Sequence, residues 1–202
     1  MDTVPKIESW TAGQMAEADF YAACVLHHRA FPKDGRTLEA VMEKKRPVWR
    51  GRGNDPASVV PGPLGSADAP RRFAVRDAEG RWLANAATLS REINTPRGPR
   101  FVYGLLDVAT APEARGLGLG VHVVRAVFDR VRQHPGSVSL FQTGPAKGFY
   151  EKLGARVVTN RFVNSAHPTE PDANPFTDQA VMLYPADADW PAGQVDLLGP
   201  GY

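Results

Sequence analysis

The sequence predicts an α/β domain with a mixed sheet covered by helices, and three observations lead to this fold class. Helical stretches and apolar strands follow one another in the order helices, β-hairpin, strand, helix, strand, helix, strand, strand. The stretch at 101–108 is almost continuously apolar, which is typical of a central strand. Residues 116–132 carry an apolar stripe at helical spacing.

The N-terminal elements are predicted from local patterns. Residues 3–9 alternate as a first strand, and residues 12–30 have apolar side chains at helical spacing. Thr37 is a candidate cap for a second helix that ends at Lys45. The stretch at 47–70 is rich in Pro, Gly, Asp and Ser, so it is predicted to be a long loop.

The later elements form the sheet and its covering helices. Strands at 73–75 and 82–89 read as a hairpin around the turn Asp77 to Gly80. The rest are a turn at 94–99, a strand at 101–108, helices at 116–132 and 145–153, and strands at 137–141, 156–163 and 179–184.

Length and composition fit a single domain over residues 1–202. The chain is 43% hydrophobic and has no apolar run near the roughly 18 residues that span a bilayer. Its N-terminus lacks a signal pattern, and its one cysteine, Cys24, cannot form an internal disulfide, so a cytoplasmic location is expected. Cys24 lies in an apolar helical stretch and is interpreted as a buried small hydrophobe. A net charge of +2 gives no argument for nucleic acid.

The charges are unevenly distributed along the chain. Residues 162–202 contain six of the 22 acidic residues and none of the 24 lysines and arginines. This segment is either a solvated acidic tail or the source of a field that attracts a cationic amine.

The strongest functional signal follows the central strand. After Val108 comes a turn in which Arg115 precedes three alternating glycines, Gly116, Gly118 and Gly120, at the start of the long helix. Glycines let a backbone approach a ligand closely, and the free N–H groups of a helix start favour an anion. Arg115 adds a planar cation, so the segment is predicted to bind a pyrophosphate.

The spacing of the glycines excludes two other classes of phosphate-binding loop. A dinucleotide fold requires Gly-x-Gly-x-x-Gly, but Val121 occupies the third glycine's position. A nucleoside-triphosphate loop ends in Gly-Lys-Ser/Thr, which is absent from the sequence. The alternative is a merely flexible turn, although three glycines where a helix opens would then be destabilising without a reason.

Two ordered motifs resemble one family. The run from Arg115 to Gly120 resembles the acyl-CoA pyrophosphate motif of the GCN5-related N-acetyltransferases. The run from Thr143 to Ala155 resembles that family's Asn-x-x-Ala-x-x-Phe-Tyr-x-x-x-Gly-Phe element, with Thr143 for Asn and Ala155 for the aromatic residue. The motifs cover about residues 101–160, and the implied acyl-CoA-binding core is about 73–163.

The resemblance implies a fold and an activity. The fold is a mostly antiparallel mixed sheet with one splayed pair of strands, and the activity is acyl transfer from acetyl-CoA without a metal. The backbone at Val108 would polarise the thioester, Thr143 occupies the usual Asn position, and Tyr150 would protonate the CoA thiolate. The pyrophosphate would be held by the backbone N–H groups of Arg115, Gly116, Leu117, Gly118, Leu119 and Gly120.

The sequence offers Tyr150 as a candidate general acid but no clear general base. A phenol with a pKa near 10 is protonated at neutral pH and is able to donate; alternatively, Tyr150 is an amphipathic core residue. The strand at 101–107 has Asp107 as its only carboxylate, next to Val108, where it would point to the opposite face. His122 fits a structural role. The base therefore stays undetermined, with His27, His28 and His167 unplaced and a water chain as an alternative.

The tail at 185–202 resembles two amino-sugar-modifying branches, the nodulation N-acyltransferases and the aminoglycoside 2′-N-acetyltransferases. If the likeness carries over, Trp190, Asp196 and the carboxylate of Tyr202 lie near the acceptor amine. Alternatively, the tail packs on the sheet with Trp190 as its anchor.

The motifs and the tail lead to three hypotheses for the function. The first is an N-acetyltransferase for a small polar amine resembling an amino sugar. The others are a protein or peptide N-acetyltransferase and a non-catalytic acyl-CoA-binding module. The sequence leaves a homodimer open and gives no sign of nucleic-acid or membrane partners.

Overall fold

A computed structural model of the chain describes residues 5–32, 35–50 and 69–201. Two compact units contain these residues: Met1–Leu89 with Leu106–Val127, and Ser90–Leu105 with Phe128–Tyr202. The helices are α1 (Glu17–Ala30), α2 (Leu38–Arg50), α3 (Leu119–Arg132) and α4 (Lys147–Lys152). The strands are β1 (Glu8–Thr11), β2 (Arg71–Arg76), β3 (Trp82–Thr95), β4 (Gly98–Thr110), β5 (Ser139–Thr143), β6 (Arg156–Val158), β7 (Arg161–Val163), β8 (Ala180–Tyr184) and β9 (Gln194–Asp196).

The first unit contains α1, α2, β1, β2, residues 82–89 of β3, residues 106–110 of β4 and the start of α3. Its strands are neighbours in the order β1, β2, β3, β4. β1, β2 and β3 are antiparallel neighbours, with Ser9 opposite Phe73 and Phe73 opposite Ala86. The Thr37 hydroxyl accepts a hydrogen bond from the Ala40 N–H at 3.3 Å, which confirms the predicted cap of α2. Cys24 is fully buried on α1, as predicted.

The second unit is built around β5. β4 pairs with β5 in parallel, with Tyr103 opposite Ser139, and β8 pairs with β5 and β6 in antiparallel fashion. β9 lies between β3 and β7. The core of this unit consists of Ile93, Val102, Val138, Leu140, Val158, Phe162, Phe176, Val181, Leu183, Val195 and Leu197.

These elements confirm the predicted fold class, a mixed and mostly antiparallel sheet flanked by helices. The apolar stripe predicted for α3 is buried throughout: Val123, Val124, Val127, Phe128 and Val131 are at most 1% exposed. Among the described residues, no helix has both the length and the apolar character to cross a bilayer.

Several boundaries differ from the predictions. The first strand lies at Glu8–Thr11, a 3-10 turn occupies part of the predicted first helix, and α2 runs to Arg50. The predicted strand at 156–163 is two strands, because the chain turns at Asn160, whose side-chain amide donates to the carbonyls of Pro191 and Gly193 at 2.9 Å. Residues 3 and 4 of the predicted first strand and residues 51–68 of the predicted loop lie outside the described residues.

Candidate active site

The predicted pyrophosphate turn lies in the first unit, between β4 and α3. Gly116 and Gly118 have φ values of 83° and 74°, a left-handed conformation that L side chains rarely adopt. These two glycines delay the helix, which starts at Leu119 rather than at Gly116 as predicted. The spacing of the glycines therefore reflects a backbone requirement and not mere flexibility.

The turn has room for a ligand. A methyl group placed on the Cα of Gly116 or Gly118 would meet no atom within 4 Å. Leu117 between them is 66% exposed, which is unusual for a large apolar side chain. The N–H groups of Val121 and His122 in the first turn of α3 donate to the Gly118 carbonyl at 3.0 and 3.3 Å, whereas those of Leu119 and Gly120 precede any acceptor in the helix ladder. An acyl-CoA pyrophosphate fits this combination of open space and a helix start.

The side chain of Arg115 bonds to α1, whereas the prediction placed it at the pyrophosphate. Its guanidinium donates to the carbonyl of Ala30 at 2.7 Å, at the C-terminal end of α1. This bond ties the turn to α1 and complements the negative end of the helix dipole. The Arg115 backbone is part of the turn, whereas at least one guanidinium nitrogen acts as a cap for α1.

Val108 is half-buried on β4 and follows a strained residue. Asp107 has φ 55° within the strand, in the left-handed region. A non-glycine residue in this conformation is uncommon, costs about 1–3 kcal/mol and persists only where its surroundings hold it. The strain therefore lies immediately before the backbone group predicted to polarise the thioester.

The surroundings of Asp107 are polar, charged and buried. Its carboxylate accepts hydrogen bonds from the Lys45 ammonium and, at 2.6 Å, from the Arg72 guanidinium. Its backbone carbonyl accepts a hydrogen bond from Asn85 Nδ2 at 2.8 Å. Arg72 also donates to Asn85 Oδ1, and its guanidinium lies over the Trp49 ring at 4.2 Å. We call Lys45, Arg72, Asn85 and Asp107 the β4 network.

The electrostatics of the β4 network argue against Asp107 as the general base. Burial by itself would raise the pKa of Asp107, but the Lys45 and Arg72 charges outweigh it and hold that pKa far below its usual range. A carboxylate so stabilised in its ionised form is a poor proton acceptor at neutral pH. Sequence reasoning missed Lys45, Arg72 and Asn85, since none of them belongs to a motif.

The second unit holds Thr143 and Tyr150. Thr143 is buried at the end of β5, opposite Ala180 of β8. Tyr150 on α4 is 7% exposed, and its ring packs against those of Phe141 and Phe149, each at a centroid distance of 4.9 Å. Burial, followed by the nearby charge of Asp178, raises the pKa of Tyr150. The phenol is therefore fully protonated at neutral pH, as an acid that donates to a thiolate must be.

In the tail at 185–202, Trp190 and Asp196 form polar contacts with other residues of the second unit. The Trp190 indole N–H donates to Asn160 Oδ1 at 2.8 Å, and the Arg100 guanidinium lies over its ring at 5.3 Å. Asp196 accepts from the backbone N–H groups of Ser165 and Leu198, both at 3.0 Å. These bonds favour the packing alternative for both side chains. Tyr202 lies outside the described residues.

The contacts of the candidate histidines do not identify any of them as the general base. His167 Nδ1 accepts from the backbone N–H of Glu170 at 3.0 Å, and the His27 ring lies 4.8 Å from that of Phe31. His122 lies inside α3 and His28 in the last turn of α1. In the described part of the chain, no group of three or more His, Cys, Asp and Glu side chains is arranged to hold a metal ion.

A strained residue in β4, a glycine turn and a helix start fit the acyl-CoA acetyltransferases that the sequence motifs resemble. A family model described as the acetyltransferase (GNAT) family matches residues 39–155. The chain belongs to this family. No curated protein sequence matches the chain.

Solved structures agree with this fold. A GNAT family N-acetyltransferase (YhbS) from Escherichia coli, in complex with CoA, is 14% identical, with a TM-score of 0.60 over 98% of this chain and 92% of that one. An acetyltransferase of the GNAT family from Staphylococcus aureus is 10% identical, with a TM-score of 0.54 over 88% of this chain and 98% of that one. At these identities the likeness establishes the fold.

Proposed function

We propose that this protein transfers the acetyl group of acetyl-CoA to the primary amine of a small polar molecule, with an amino-sugar-like compound as the acceptor class. The observation that carries the proposal is the turn at 115–120, with two left-handed glycines, open space around them and a helix start. The family match supports the acetyl-transfer chemistry, and a CoA complex of a similar fold supports the ligand.

Each proposed role uses a group of this chain. The N–H groups of residues 115–120 bind the pyrophosphate, and the Val108 N–H donates to the thioester carbonyl. Acetyl-CoA supplies an acetyl group already activated as a thioester. Tyr150 donates its phenolic proton to the departing thiolate; burial keeps the phenol protonated at neutral pH, and the same raised pKa makes it a weaker acid than a free phenol. Thr143 lies at the position where relatives carry an Asn.

The acceptor class rests on the acidic segment at 162–202. Glu170, Asp178 and Asp187 are exposed there and would attract a cationic amine. Asp189 and Asp172 are exposed too, but they pair with Arg97 and Arg161 at 2.5 and 3.0 Å, which reduces the field they add. Trp190, Asp196 and Tyr202 stay the proposed acceptor contacts, and the packing bonds of Trp190 and Asp196 are the competing explanation for the first two.

Ligand binding and thiol release test the proposal. We expect calorimetry to show binding of CoA and acetyl-CoA, and we expect thiol release when acetyl-CoA is mixed with a panel of amino sugars, polyamines and peptides. Release with amino sugars but not with peptides supports the small-molecule acceptor. Binding without release from any amine supports the non-catalytic module instead.

A matched pair of variants tests the location of the ligand. Gly118→Asp places a negative charge where the pyrophosphate is proposed to bind. Gly80→Asp introduces the same side chain at φ 79°, also with no atom within 4 Å, in the β2–β3 turn. Both variants carry the same backbone strain, so loss of acetyl-CoA binding in Gly118→Asp alone locates the site. Equal binding by both variants means that the site lies elsewhere.

A further inference from the structure

We infer that Asn85 is a positioning residue for acetyl transfer: its side-chain amide, oriented by Arg72, fixes the Asp107–Val108 peptide so that the Val108 N–H faces the thioester carbonyl. The inference rests on the proposed function. It concerns groups of the first unit alone.

The starting point is the strain at Asp107. A residue with φ 55° inside a strand persists only if its neighbours hold it, and such residues cluster at functional sites. Asp107 is held at both ends. Lys45 and Arg72 fix its carboxylate, and Asn85 fixes its carbonyl.

The amide of Asn85 has only one orientation that satisfies both of its bonds. Arg72 is solely a donor, so the atom of Asn85 that faces it must be the oxygen. The Nδ2 atom then faces the Asp107 carbonyl, to which it donates at 2.8 Å. Asn85 is completely buried and Arg72 is 1% exposed, so water does not compete for these bonds.

The consequence for Val108 follows from peptide geometry. The Asp107 carbonyl and the Val108 N–H belong to one planar trans peptide and point in opposite directions. A bond that fixes the carbonyl therefore fixes the direction of the N–H. Preorganised donors of this kind stabilise developing charge without having to reorient during the reaction.

The composition of the β4 network favours a functional explanation over a purely structural one. Well-packed apolar residues often stabilise a core as well as buried ion pairs do. Here two cations and one amide converge on a single strained residue, Asp107. Their shared effect is to define the orientation of one peptide.

The test compares two ligands that differ at the carbonyl. Acetyl-CoA has the thioester oxygen, whereas S-ethyl-CoA, a thioether of nearly the same shape, has none. We expect the parent protein to bind acetyl-CoA about three- to tenfold more tightly, the ratio that one ordinary hydrogen bond gives. Asn85→Leu should reduce this ratio to about one and leave the S-ethyl-CoA affinity unchanged. Its kcat should fall by about 10- to 100-fold.

Two further variants keep the test decisive. Asn164→Leu removes a buried asparagine of the second unit, which accepts from the Ala166 N–H, and should leave the affinity ratio unchanged. Asn85→Asp preserves volume but puts a carboxylate against the Asp107 carbonyl. Asn85→Asp should lower the ratio of acetyl-CoA to S-ethyl-CoA affinity as Asn85→Leu does. If Asn85→Leu does not fold, the affinity ratio of Asn85→Asp decides the test.

The outcomes separate the inference from the proposed function. An unchanged ratio in the Asn85 variants, or equal binding of the two ligands by a parent protein that still releases thiol, overturns the inference alone. A parent protein that binds neither ligand overturns the proposed function and, with it, the inference.

Discussion

Tyr150 is buried, which keeps its hydroxyl protonated and packs its ring against neighbouring aromatic side chains. The ring is enclosed by Phe141 and Phe149, so a Phe at this position would keep the packing and remove only the hydroxyl. We expect Tyr150→Phe to lower kcat by about 10²- to 10⁴-fold, as for a general acid, with little change in acetyl-CoA affinity. Steady-state kinetics and calorimetry measure the two quantities.

Tyr184 provides the matched control for this prediction. It is 4% exposed, stacks on Phe128 at 3.7 Å, and burial raises its pKa as well. Tyr184→Phe should leave kcat almost unchanged, since the proposed function gives the Tyr184 hydroxyl no part in the chemistry. A Tyr150→Phe enzyme that turns over as fast as Tyr184→Phe would make Tyr150 a core residue.

Asp107 makes stability depend on pH. Its folded pKa is depressed, so its stabilising effect is complete above the unfolded value of about 3.9 and is lost as the pH falls below that value. At pH 7, Asp107→Asn should lower the free energy of unfolding by about 3–5 kcal/mol, because Arg72 stays buried and Lys45 mostly buried without their carboxylate.

Urea denaturation at several pH values checks this expectation. The difference between the parent and Asp107→Asn should narrow below about pH 4. Asp129→Asn, which removes an exposed pair with Arg132, should change stability far less. A constant difference between pH 7 and pH 3 would show that the charge of Asp107 is not what stabilises the fold.

At the scale of elements, the end of the tail is fitted closely onto its own unit. The carbonyl of Pro200 accepts from Arg91 at 2.5 Å, and the Leu197 N–H donates to Val163 at 2.9 Å. A methyl group on Gly201 would collide with the backbone carbonyl of Pro175, whereas one on Gly199 would meet only the flexible Arg91 side chain.

Deletion of residues 198–202 separates the two roles of this tail. If it binds the acceptor, the truncated enzyme should show a higher acceptor KM, or no transfer, with acetyl-CoA binding intact. If it only packs, the melting temperature should fall while the acceptor KM of the folded fraction is preserved.

Single substitutions refine the comparison. Gly201→Ala should lower the melting temperature more than Gly199→Ala, because a backbone carbonyl cannot move aside as an arginine side chain does. Equal effects of the two would show that the Pro175 contact is not maintained in solution.

For the whole molecule, ligand binding should appear as thermal stabilisation. A ligand at 100 times its Kd stabilises the folded state by about 2.7 kcal/mol, which for a chain of this length raises Tm by roughly 5–10 °C. Differential scanning fluorimetry with acetyl-CoA measures the shift. We expect it in the parent and in Gly80→Asp but not in Gly118→Asp. A full shift in Gly118→Asp would contradict the proposed pyrophosphate site.

Several whole-molecule properties stay predictions. A cytoplasmic location, independence from metals and the choice between monomer and homodimer come from the sequence and the family resemblance. Light scattering on the purified protein decides the last of these.

The sequence by itself determined the family, the order of elements and the position of the glycine turn. These features are local: the conformations of Gly116 and Gly118 depend on a few neighbouring residues, and the stripe of α3 follows helical periodicity. The two family motifs are contiguous runs as well, so that a single chain sufficed to identify them.

Only the tertiary structure decided what surrounds Asp107 on β4. Lys45, Arg72 and Asn85 reach Asp107 from 62, 35 and 22 residues away, and contacts at such separations leave no trace in local periodicity. The sequence therefore offered Asp107 as a candidate base, whereas its buried cationic partners make it a structural anion. The break at Asn160 and the Arg115 bond to Ala30 were hidden for the same physical reason, because each depends on a carbonyl that folding brings near.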